Sequence, residues 1–321
     1  MADPSVPQVS VVVPAYNSEA TLPLLVEQTR EVLRRRGNTC EFVIVNDNSL
    51  DGTWAAVQRL AASAPDVRGL RLNRNFGQHN ALLAGIREAR GEIIVTIDDD
   101  LQHPPEEIPK VLDELERGAD VVYGFPRELP HSLFRNVFSW LTKIALQKAM
   151  GADTARHASA FRAFRTHVRR AFEHYRSAYV SIDVLLTWGT QRFSWVAVEH
   201  RPRRLGKSNF TLQKLATHAL TMITGFSTVP LRFASILGLA FTIFGIAILA
   251  FVVGRYVIQG GAVPGFPFLA STIAVFSGAQ LFAIGIIGEY LARVHMRMLG
   301  RPAYLVSETT FGPPADSPRD A

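Results

Sequence analysis

Two uncharged apolar runs near the C-terminus limit what this chain can become more than any other feature. The first covers Ala234 to Val253 and the second covers Phe266 to Gly288. A helix of about 20 apolar residues is long enough to cross the hydrocarbon core of a bilayer. The runs therefore predict two membrane-spanning helices, over residues 231–258 and 266–291. The alternative is a buried helical hairpin in a soluble protein.

The charges beside these runs predict how they cross the membrane. The stretch that joins them, Gln259 to Pro267, carries no charge. Basic residues stand on both outer sides: Arg201, Arg203, Arg204, Lys207, Lys214 and Arg232 before the runs, and Arg293, Arg297 and Arg301 after them. Because basic residues favour the cytoplasmic side, both outer flanks are predicted to be cytoplasmic. Met1 to Gln8 lacks the basic start and apolar core of a secretory signal. We expect a multi-pass protein of the cell inner (plasma) membrane with a cytoplasmic first domain.

The net charge indicates a class of binding partner only when the location of the basic residues is also considered. The net charge is +6, which suits nucleic acid, an anionic membrane surface or a phosphorylated substrate about equally. The basic residues gather beside the apolar runs and no nucleic-acid recognition motif is present, so we expect membrane lipid as a partner and no nucleic acid. The only cysteine, Cys40, excludes a disulfide framework and a cysteine-based zinc site.

Before the apolar runs, short β-rich segments alternate with amphipathic helical segments. The predicted strands are Val9 to Val13, Glu41 to Val45, Gly69 to Leu72, Ile93 to Ile97 and Asp120 to Tyr123. The predicted helices are Leu22 to Arg36, Thr53 to Ala62, Gln78 to Arg90 and Glu106 to Arg117. This alternation is typical of βαβ units and a mostly parallel α/β sheet. Because ligands of such sheets bind beyond the carboxyl ends of the strands, we expect the chemistry in the residues that follow each strand.

Two amphipathic segments separate the predicted sheet from the apolar runs. Apolar residues recur at helical spacing near residues 132–148, with basic residues between them, and again over residues 211–230. Such a helix lies on a membrane surface, although packing against the sheet would produce the same pattern. The predicted organisation is an α/β domain over 1–210 with an interface helix near 132–148, a juxtamembrane helix over 211–230, the two spans, and a cytoplasmic tail over 292–321 with a disordered end.

The most specific chemical signal is a run of three acids. Asp98, Asp99 and Asp100 follow the β-branched strand that begins at Ile93. Side chains alternate along an extended chain, so Asp98 and Asp100 point to one side and Asp99 to the other. Two carboxylates on one side repel each other unless a cation neutralises them, and oxygen ligands favour Mg²⁺ or Mn²⁺. The run therefore predicts a divalent metal site. The alternative is an acidic turn that begins the helix near Pro105.

Two further loops contain candidate ligand contacts. Asp47 follows a fully apolar strand, where a carboxylate can accept a hydrogen bond from a base or ribose group. Its alternative role is in a turn or helix cap, which Asp51 fills more naturally. The polar loop Asn73 to Asn80 leads into a helix and can orient diphosphate oxygens, although a plain αβ connection would look similar.

A basic segment precedes the second amphipathic stretch. It contains Arg203, Arg204, Gly206, Lys207 and Ser208. It is not a Walker A motif, because Arg201 stands where the first glycine of that motif would be. The segment is placed to meet phosphate at a membrane surface, or it serves only as a cluster of surface charge.

Taken together, these segments resemble glycosyltransferase family 2, and within it the polyprenyl-phosphate sugar transferases. The matching segments are Val9 to Asn17, Asn46 to Thr53, Asn73 to His79, Asp98 to Glu107 and Gly206 to Phe210. The resemblance implies a GT-A (Rossmann-like) nucleotide-sugar-binding domain, juxtamembrane amphipathic helices and a two-helix transmembrane hairpin. It also implies an inverting transfer from a nucleotide diphosphate-sugar donor to an undecaprenyl-type polyprenyl phosphate acceptor at the cytoplasmic membrane face. The expected cofactor is Mg²⁺ or Mn²⁺, and the expected role is cell-envelope glycan or glycolipid modification.

The resemblance also implies roles for single residues at the matching positions. Pro14, Tyr16, Glu19 and Asp47 would line the nucleoside. Asp98 would lie beside the donor, and Asp100 with Gln102 would hold the metal, so Asp98 and Asp100 are candidate catalytic residues and all three are candidate metal ligands. Arg204, Lys207 and Ser208 would bind donor or acceptor phosphate.

The sequence departs from the family pattern at one position. These transferases commonly carry an Asp shortly before the segment matched here by Phe161 to Phe164. In this chain Arg156 or His157 takes that place, and the nearest acid is Asp153. Either Asp153 reaches the site, or His157 substitutes, or no such group is needed. Asp153 and His157 are therefore both candidate catalytic residues.

Other functions fit part of the sequence. A processive polysaccharide synthase of the same fold needs more than two spans and a Gln-x-x-Arg-Trp motif, and Gln191 does not begin such a motif here. A catalytically inactive nucleotide-binding membrane scaffold, or a transferase acting on another lipid or glycan acceptor, remains the alternative. Glycines within the apolar runs would also allow a homo-oligomer through close helix packing, although glycine is common in spanning helices: Gly238, Gly245, Gly278, Gly285 and Gly288.

Overall fold

A computed structural model gives the architecture of residues 6–126, 157–177, 179–201, 229–259 and 265–312. The chain divides into two units, one from Met1–Leu212 with Gly300–Ala321 and one from Gln213–Leu299. The helix predicted near 132–148, nearly all of the helix predicted over 211–230, and the end of the predicted tail lie outside the described residues.

The first unit contains eight strands and five α-helices within the described residues. The strands are β1 Val9–Ala15, β2 Cys40–Asn46, β3 Val67–Leu72, β4 Ile93–Thr96, β5 Val121–Pro126, β6 Arg162–Arg165, β7 Phe193–Val198 and β8 Val306–Thr309. The helices are α1 Leu22–Arg36, α2 Thr53–Ser63, α3 Gln78–Glu88, α4 Ile108–Glu116 and α5 Ile182–Gly189, with 3-10 turns at Pro105–Glu107 and Thr166–Phe172.

All eight strands belong to one mixed sheet in the order β7-β5-β6-β4-β1-β2-β3-β8. β1 pairs in parallel with β2 and β4, β2 with β3, and β5 with β7. β6 runs antiparallel to both β4 and β5, and β8 runs antiparallel to β3. The mostly parallel α/β sheet that the sequence predicts is therefore present, with two antiparallel additions.

The alternation of side chains along β1 builds a core on each face of the sheet. Val11 and Val13 pack with α1, α2 and α4 on one face, whereas Val12 packs with α3 and α5 on the other. Because both faces are covered, β1 and β2 are nearly continuous apolar runs, interrupted by Ser10 in β1 and by Glu41 near the start of β2. This is why the sequence reveals them clearly.

Helix α1 illustrates how local sequence sets the limits of an element. Pro23 lies in its first turn, where the missing N–H costs no hydrogen bond. Gly37 ends it in the left-handed conformation with φ 82°, a geometry that glycine adopts without strain. Three arginines occupy the last turn, where positive charge suits the helix dipole.

The second unit contains two long helices, α6 Val229–Gln259 and α7 Phe266–Met298. Each includes a segment long and apolar enough to cross a membrane, Leu231–Arg255 and Val275–Met298, and the protein buries none of the apolar window in either. The helices contact each other where Phe241 meets Phe276, with ring centroids 5.7 Å apart, and a Cβ added at Gly245 would lie 3.0 Å from the Phe276 ring. The two-helix hairpin that the sequence predicts is present.

Candidate active site

Four loops meet at the carboxyl edge of the parallel strands and hydrogen-bond to one another. The loop after β1 joins the loop after β2, because the Asn17 amide donates to the Ser49 hydroxyl and the Ser18 amide donates to the Thr53 hydroxyl. It also joins the loop after β4, because the Tyr16 amide donates to Asp99. The edge at which the sequence predicts chemistry is therefore a single interlocked set of loops.

Asp47 holds the loop that follows β3. Its Oδ1 accepts the Phe76 amide at 2.7 Å and its Oδ2 accepts the Gly77 amide at 2.8 Å. Gly77 has φ 93° and ψ 156°, a backbone region that only glycine adopts readily. Burial raises the pKa of Asp47, and the two amides act against that rise. The residue is 4% exposed, and the two amides that it accepts hold the loop after β3 in shape. The nucleotide contact that the sequence suggests for Asp47 stays a prediction.

The other residues predicted to line the nucleoside lie on the same edge. Pro14 is buried within β1, and Tyr16 follows the strand with 38% of its surface exposed. Glu19 is exposed, and its Oε2 accepts the Gly52 amide at 3.1 Å. Asp51 accepts the Thr53 amide at 3.1 Å, and the N-cap of α2 is Gly52, so Asp51 takes the turn role rather than the cap role of the two that the sequence suggests for it.

The three acids lie in the turn after β4 and take different partners. Gln78 donates its side-chain amide to Asp98 Oδ1 at 2.6 Å. Asp99 faces the loop after β1, where it accepts the Tyr16 amide and the Ser18 hydroxyl. Asp100 Oδ1 accepts the Gln102 amide at 3.1 Å. Asp99 therefore braces the neighbouring loop, which separates its role from those of Asp98 and Asp100.

Asp98 is in an unfavourable electrostatic position. The pKa of its carboxyl is raised to about 7, first by burial and then by the charges of Asp100 and Asp99, while Arg162 and the Gln78 hydrogen bond act in the opposite direction. Part-buried carboxylates that repel one another are the arrangement that a bound cation would relieve.

Backbone strain is concentrated in the same loops. Among the described residues, the non-glycine residues with positive φ are Asn17, Asn48 and Leu101, at 55°, 54° and 58°. Asn tolerates this conformation, whereas for Leu it costs about 1–2 kcal/mol. The Leu101 side chain is 7% exposed and belongs to the core, which offsets that cost. The buried side chain thus keeps the chain turned between Asp100 and Gln102.

The acid loop fits a divalent cation with an open coordination sphere. Asp98, Asp100 and Gln102 offer carboxylate and amide oxygens, the ligand type that Mg²⁺ and Mn²⁺ prefer. Within the described ranges, no group of three or more His, Cys, Asp or Glu side chains converges as a metal site. A cation at this loop would therefore take further ligands from amide, water or substrate oxygens.

Arg162, which no sequence motif singles out, is a buried cation whose charge acts on Asp98. It lies on β6 opposite Thr96, is 1% exposed, and donates to Asp183 Oδ1 at 2.5 Å. Tyr123 donates its hydroxyl to the same oxygen at 3.0 Å. The one sequence signal for a buried arginine is that Phe161 and Ala163 flank it, but its partner, Asp183, comes from a separate segment.

The remaining predicted residues divide into those inside and outside the described chain. His157 stacks on Trp195 with ring centroids 3.8 Å apart and meets Phe125 edge-on. Asp153, Arg204, Lys207 and Ser208 lie outside the described residues. The chain that leads to the basic segment is tied to the acid loop, because the Arg201 amide donates to the Gln102 carbonyl at 2.8 Å.

Comparison with known proteins identifies similar chains over almost the whole length. Residues 10–175 match the family described as glycosyl transferase family 2. The undecaprenyl-phosphate 4-deoxy-4-formamido-L-arabinose transferase of Pectobacterium carotovorum is 33% identical over 305 residues, which cover 94% of this chain and 93% of that protein. The protein of the same name from Yersinia pestis is 32% identical over 317 residues, which cover 98% and 97%.

A solved structure has a similar fold in the α/β part. Glucosyl-3-phosphoglycerate synthase from Mycobacterium tuberculosis, in complex with Mn²⁺, UDP and glucosyl-3-phosphoglycerate, matches with a TM-score of 0.51 and 20% identity. The match covers 68% of this chain and 78% of that chain.

Proposed function

Because this chain belongs to glycosyltransferase family 2 and has the GT-A fold, we propose that it transfers a sugar from a nucleoside diphosphate sugar to a polyprenyl phosphate, with inversion at the anomeric carbon. The observation that carries the proposal is the 33% identity, over 94% of the chain, to a transferase whose name states undecaprenyl phosphate as acceptor. A likeness of that length includes the two apolar helices, the part of the chain suited to lipid. The product would serve modification of a cell-envelope glycan or glycolipid.

The loops after β1 and β2 support a nucleoside site in this proposal. The exposed ring of Tyr16 offers a stacking surface for a base, and Asp47 keeps unused lone pairs after accepting two amides. Pro14 and Glu19 would complete the lining. The Asp47 contact to the loop after β3 would make nucleoside binding sensitive to the shape of that loop.

Asp98, Asp100 and Gln102 would hold Mg²⁺ or Mn²⁺ beside the donor diphosphate. When bound, the cation would neutralise the diphosphate and stabilise the charge on the leaving group. Asp98 supports this assignment because its carboxyl is crowded by the charges of Asp99 and Asp100. Gln78 would orient Asp98 through its side-chain amide.

The proposed reaction is one displacement at the anomeric carbon. A phosphate oxygen of the acceptor forms a bond to that carbon, the bond from the carbon to the donor diphosphate breaks, and the nucleoside diphosphate leaves with the electron pair. A phosphate monoester is largely ionised at pH 7, since its second pKa is about 6, so this nucleophile needs no strong general base. Asp153 or His157 is the proposed catalytic residue at the place where the family commonly carries an Asp.

The basic segment is the proposed phosphate-binding part of the acceptor site. Arg204 follows Arg201 by three residues, a distance of at most about 11 Å along the chain. Because the Arg201 amide is bonded to the acid loop, Arg204 is within reach of a phosphate beside Asp100. Lys207 and Ser208 would bind the same phosphate, where an ammonium and a hydroxyl both donate to its oxygens.

The sheet supports a hairpin that enters and leaves the membrane on one side. β8 pairs with β3, although the two apolar helices lie between them in the sequence. The chain must therefore cross any membrane an even number of times between β7 and β8, and two candidate spans satisfy this. The basic flanks favour the cytoplasm of the inner membrane for both ends.

The proposal is tested by release of nucleoside diphosphate from purified protein. Detergent-solubilised protein is incubated with Mn²⁺ or Mg²⁺ and a panel of UDP-, GDP- and dTDP-sugars, with and without undecaprenyl phosphate. We expect one donor to release nucleoside diphosphate only when metal and lipid are both present. Asp100→Ala should abolish the release, whereas Asp113→Ala, an exposed acid on α4, should not alter it.

Each alternative function predicts a different result. Nucleotide binding without release by any donor would indicate a nucleotide-binding scaffold. Release that depends on a different lipid or glycan would preserve the transferase and reject the polyprenyl phosphate acceptor. Release that persists in Asp100→Ala would reject the assignment of the acid loop.

A further inference from the structure

The segment that follows the second apolar helix completes the sheet beside the candidate donor site. β8 is the edge strand and pairs with β3, with Thr309 opposite Leu70 and Glu308 opposite Arg71. The pairing continues past both ends of β8, because the Asn73 amide donates to the Leu305 carbonyl and the Thr310 amide donates to the Gly69 carbonyl. The hydrogen bond to Asn73 lies at the start of the loop that Asp47 holds.

Side chains fasten this segment at both ends. Ala303 is 4% exposed and belongs to the core on the α3 face. The Tyr304 hydroxyl accepts from Arg87 at 3.2 Å, and the Arg68 guanidinium lies 4.0 Å from the centroid of the Phe311 ring. Such contacts make residues 303–311 an integral part of the α/β unit.

Glu308, on β8, contacts residues that flank two of the site loops. Its Oε2 accepts the indole N–H of Trp54 at 2.9 Å, and its Oε1 accepts from Arg71 at 2.6 Å. Trp54 lies in the first turn of α2, directly after the loop that contains Asp47. Arg71 lies near the end of β3, directly before the loop that Asp47 holds. The carboxylate therefore connects the end of the first loop to the start of the second loop.

The two loops are joined a second time, where the loop after β2 begins and the loop after β3 ends. Asp47, in the loop after β2, accepts the amides of Phe76 and Gly77 in the loop after β3. Just beyond Gly77, Gln78 donates to Asp98. A change in the distance between the loop after β2 and the loop after β3 would therefore shift Asp47 and, through Gln78, the acid loop.

We infer that Glu308 is a positioning residue for donor binding, and that β8 sets the spacing of the two nucleoside loops. This inference rests on the proposed function, because it assigns the loops to the nucleotide-sugar. It also gives the chain after the apolar helices a role in the cytoplasmic site. Glu308 contacts no substrate in this account and acts only through Trp54 and Arg71.

The inference is tested first without any nucleotide. Hydrogen exchange of the Phe76 and Gly77 amides is compared in the full-length wild type, Glu308→Ala and Glu31→Ala. Glu31 is the matched control, because it is also a surface acid that accepts from two side chains, Arg34 and Arg35, but it lies on α1. We expect faster exchange of both amides in Glu308→Ala only. Unchanged exchange would overturn the inference whatever the protein binds.

Donor kinetics then separate positioning from general stability. We expect Glu308→Ala to raise the KM for the nucleotide-sugar by about fivefold, the lower end of typical coupling between sites, with a smaller change in kcat. Trp54→Phe and Arg71→Met each remove one contact of the bridge and should give intermediate KM values, which keeps the test open if Glu308→Ala unfolds.

An equal rise in KM in all these variants and in Glu31→Ala would overturn the inference. A wild type that binds none of UDP, GDP or dTDP would instead reject the proposed function.

Discussion

The Asp47 carboxylate accepts two backbone amides and is also proposed to contact the nucleoside, and Asp47→Asn tests both roles. In Asp47→Asn, one side-chain oxygen becomes an NH₂ group that cannot accept a backbone amide, so the Phe76 or Gly77 amide loses its partner. We expect a loss of about 1–3 kcal/mol in the free energy of unfolding. Because the loop would loosen, nucleotide affinity should fall by about tenfold, the equivalent of about 1.4 kcal/mol.

The control for this change is Asp66→Asn, which alters a part-buried carboxylate that is paired with Arg30 and lies outside the site loops. Calorimetric titration with nucleotide and thermal unfolding are measured for both variants. An Asp47→Asn protein that binds nucleotide as the wild type does would contradict the role assigned to Asp47.

Asp98 gives the metal-free protein a characteristic dependence on pH. The pKa of Asp98 rises from an ordinary 3.8 to about 7 in the folded chain. Between these values the folded protein retains a proton that the unfolded chain has lost, so stability falls as pH rises through this window. We expect the unfolding temperature of the wild type to decline from about pH 4 to about pH 7 relative to Asp98→Asn. Parallel curves for the two proteins in the presence of a chelator would refute the assignment.

At the scale of elements, the sequence predicts those strands and helices that carry their own apolar pattern or their own start and stop signals. β1, β2 and β4 are apolar because helices cover both faces, and α1 carries its own start and stop signals. β8 has the sequence Val-Ser-Glu-Thr, which shows no apolar run, and it becomes a strand only by pairing with β3. Its existence depends on a tertiary contact that local sequence does not encode.

The same distinction applies to the candidate site. Asp47 and the three acids were predictable because polar residues directly follow apolar strands. Arg162 and Glu308 were not, because each is defined by a partner far along the chain, Asp183 for one and Trp54 for the other. The departure at Asp153 and His157 stays a prediction, since only His157 lies within the described residues.

The loop after β3 depends on a backbone shape that only glycine adopts readily. Gly77 and Gly118 have φ of 93° and 112°, and a Cβ at either would meet no atom within 4 Å. Alanine at either position should therefore cost a similar amount, of order 1 kcal/mol, through backbone strain alone. Only Gly77→Ala should also weaken nucleotide binding, because its amide donates to Asp47. Thermal unfolding and nucleotide titration of both variants test this, and equal affinities would contradict it.

At the scale of the whole molecule, the shared sheet of β3 and β8 requires both ends of the apolar hairpin to lie on one side of a membrane. With the α/β unit in the cytoplasm, as proposed, a fluorescent protein fused after Gly312 should fold and fluoresce there. Alkaline phosphatase inserted within residues 260–264, between α6 and α7, should be active because that stretch would face the opposite side. A dark C-terminal fusion, or an inactive insertion in a stably expressed protein, would contradict a two-span hairpin.

The central proposal for the whole molecule is that one chain joins a cytoplasmic donor site to a lipid acceptor. The direct measurement is mass spectrometry of lipids extracted after the purified protein reacts with undecaprenyl phosphate, metal and the donor identified by nucleotide release. We predict a new lipid heavier than undecaprenyl phosphate by one glycosyl residue, joined through a single phosphate, and absent after chelation or in Asp100→Ala. Release of nucleoside diphosphate with no such glycolipid would contradict the claim.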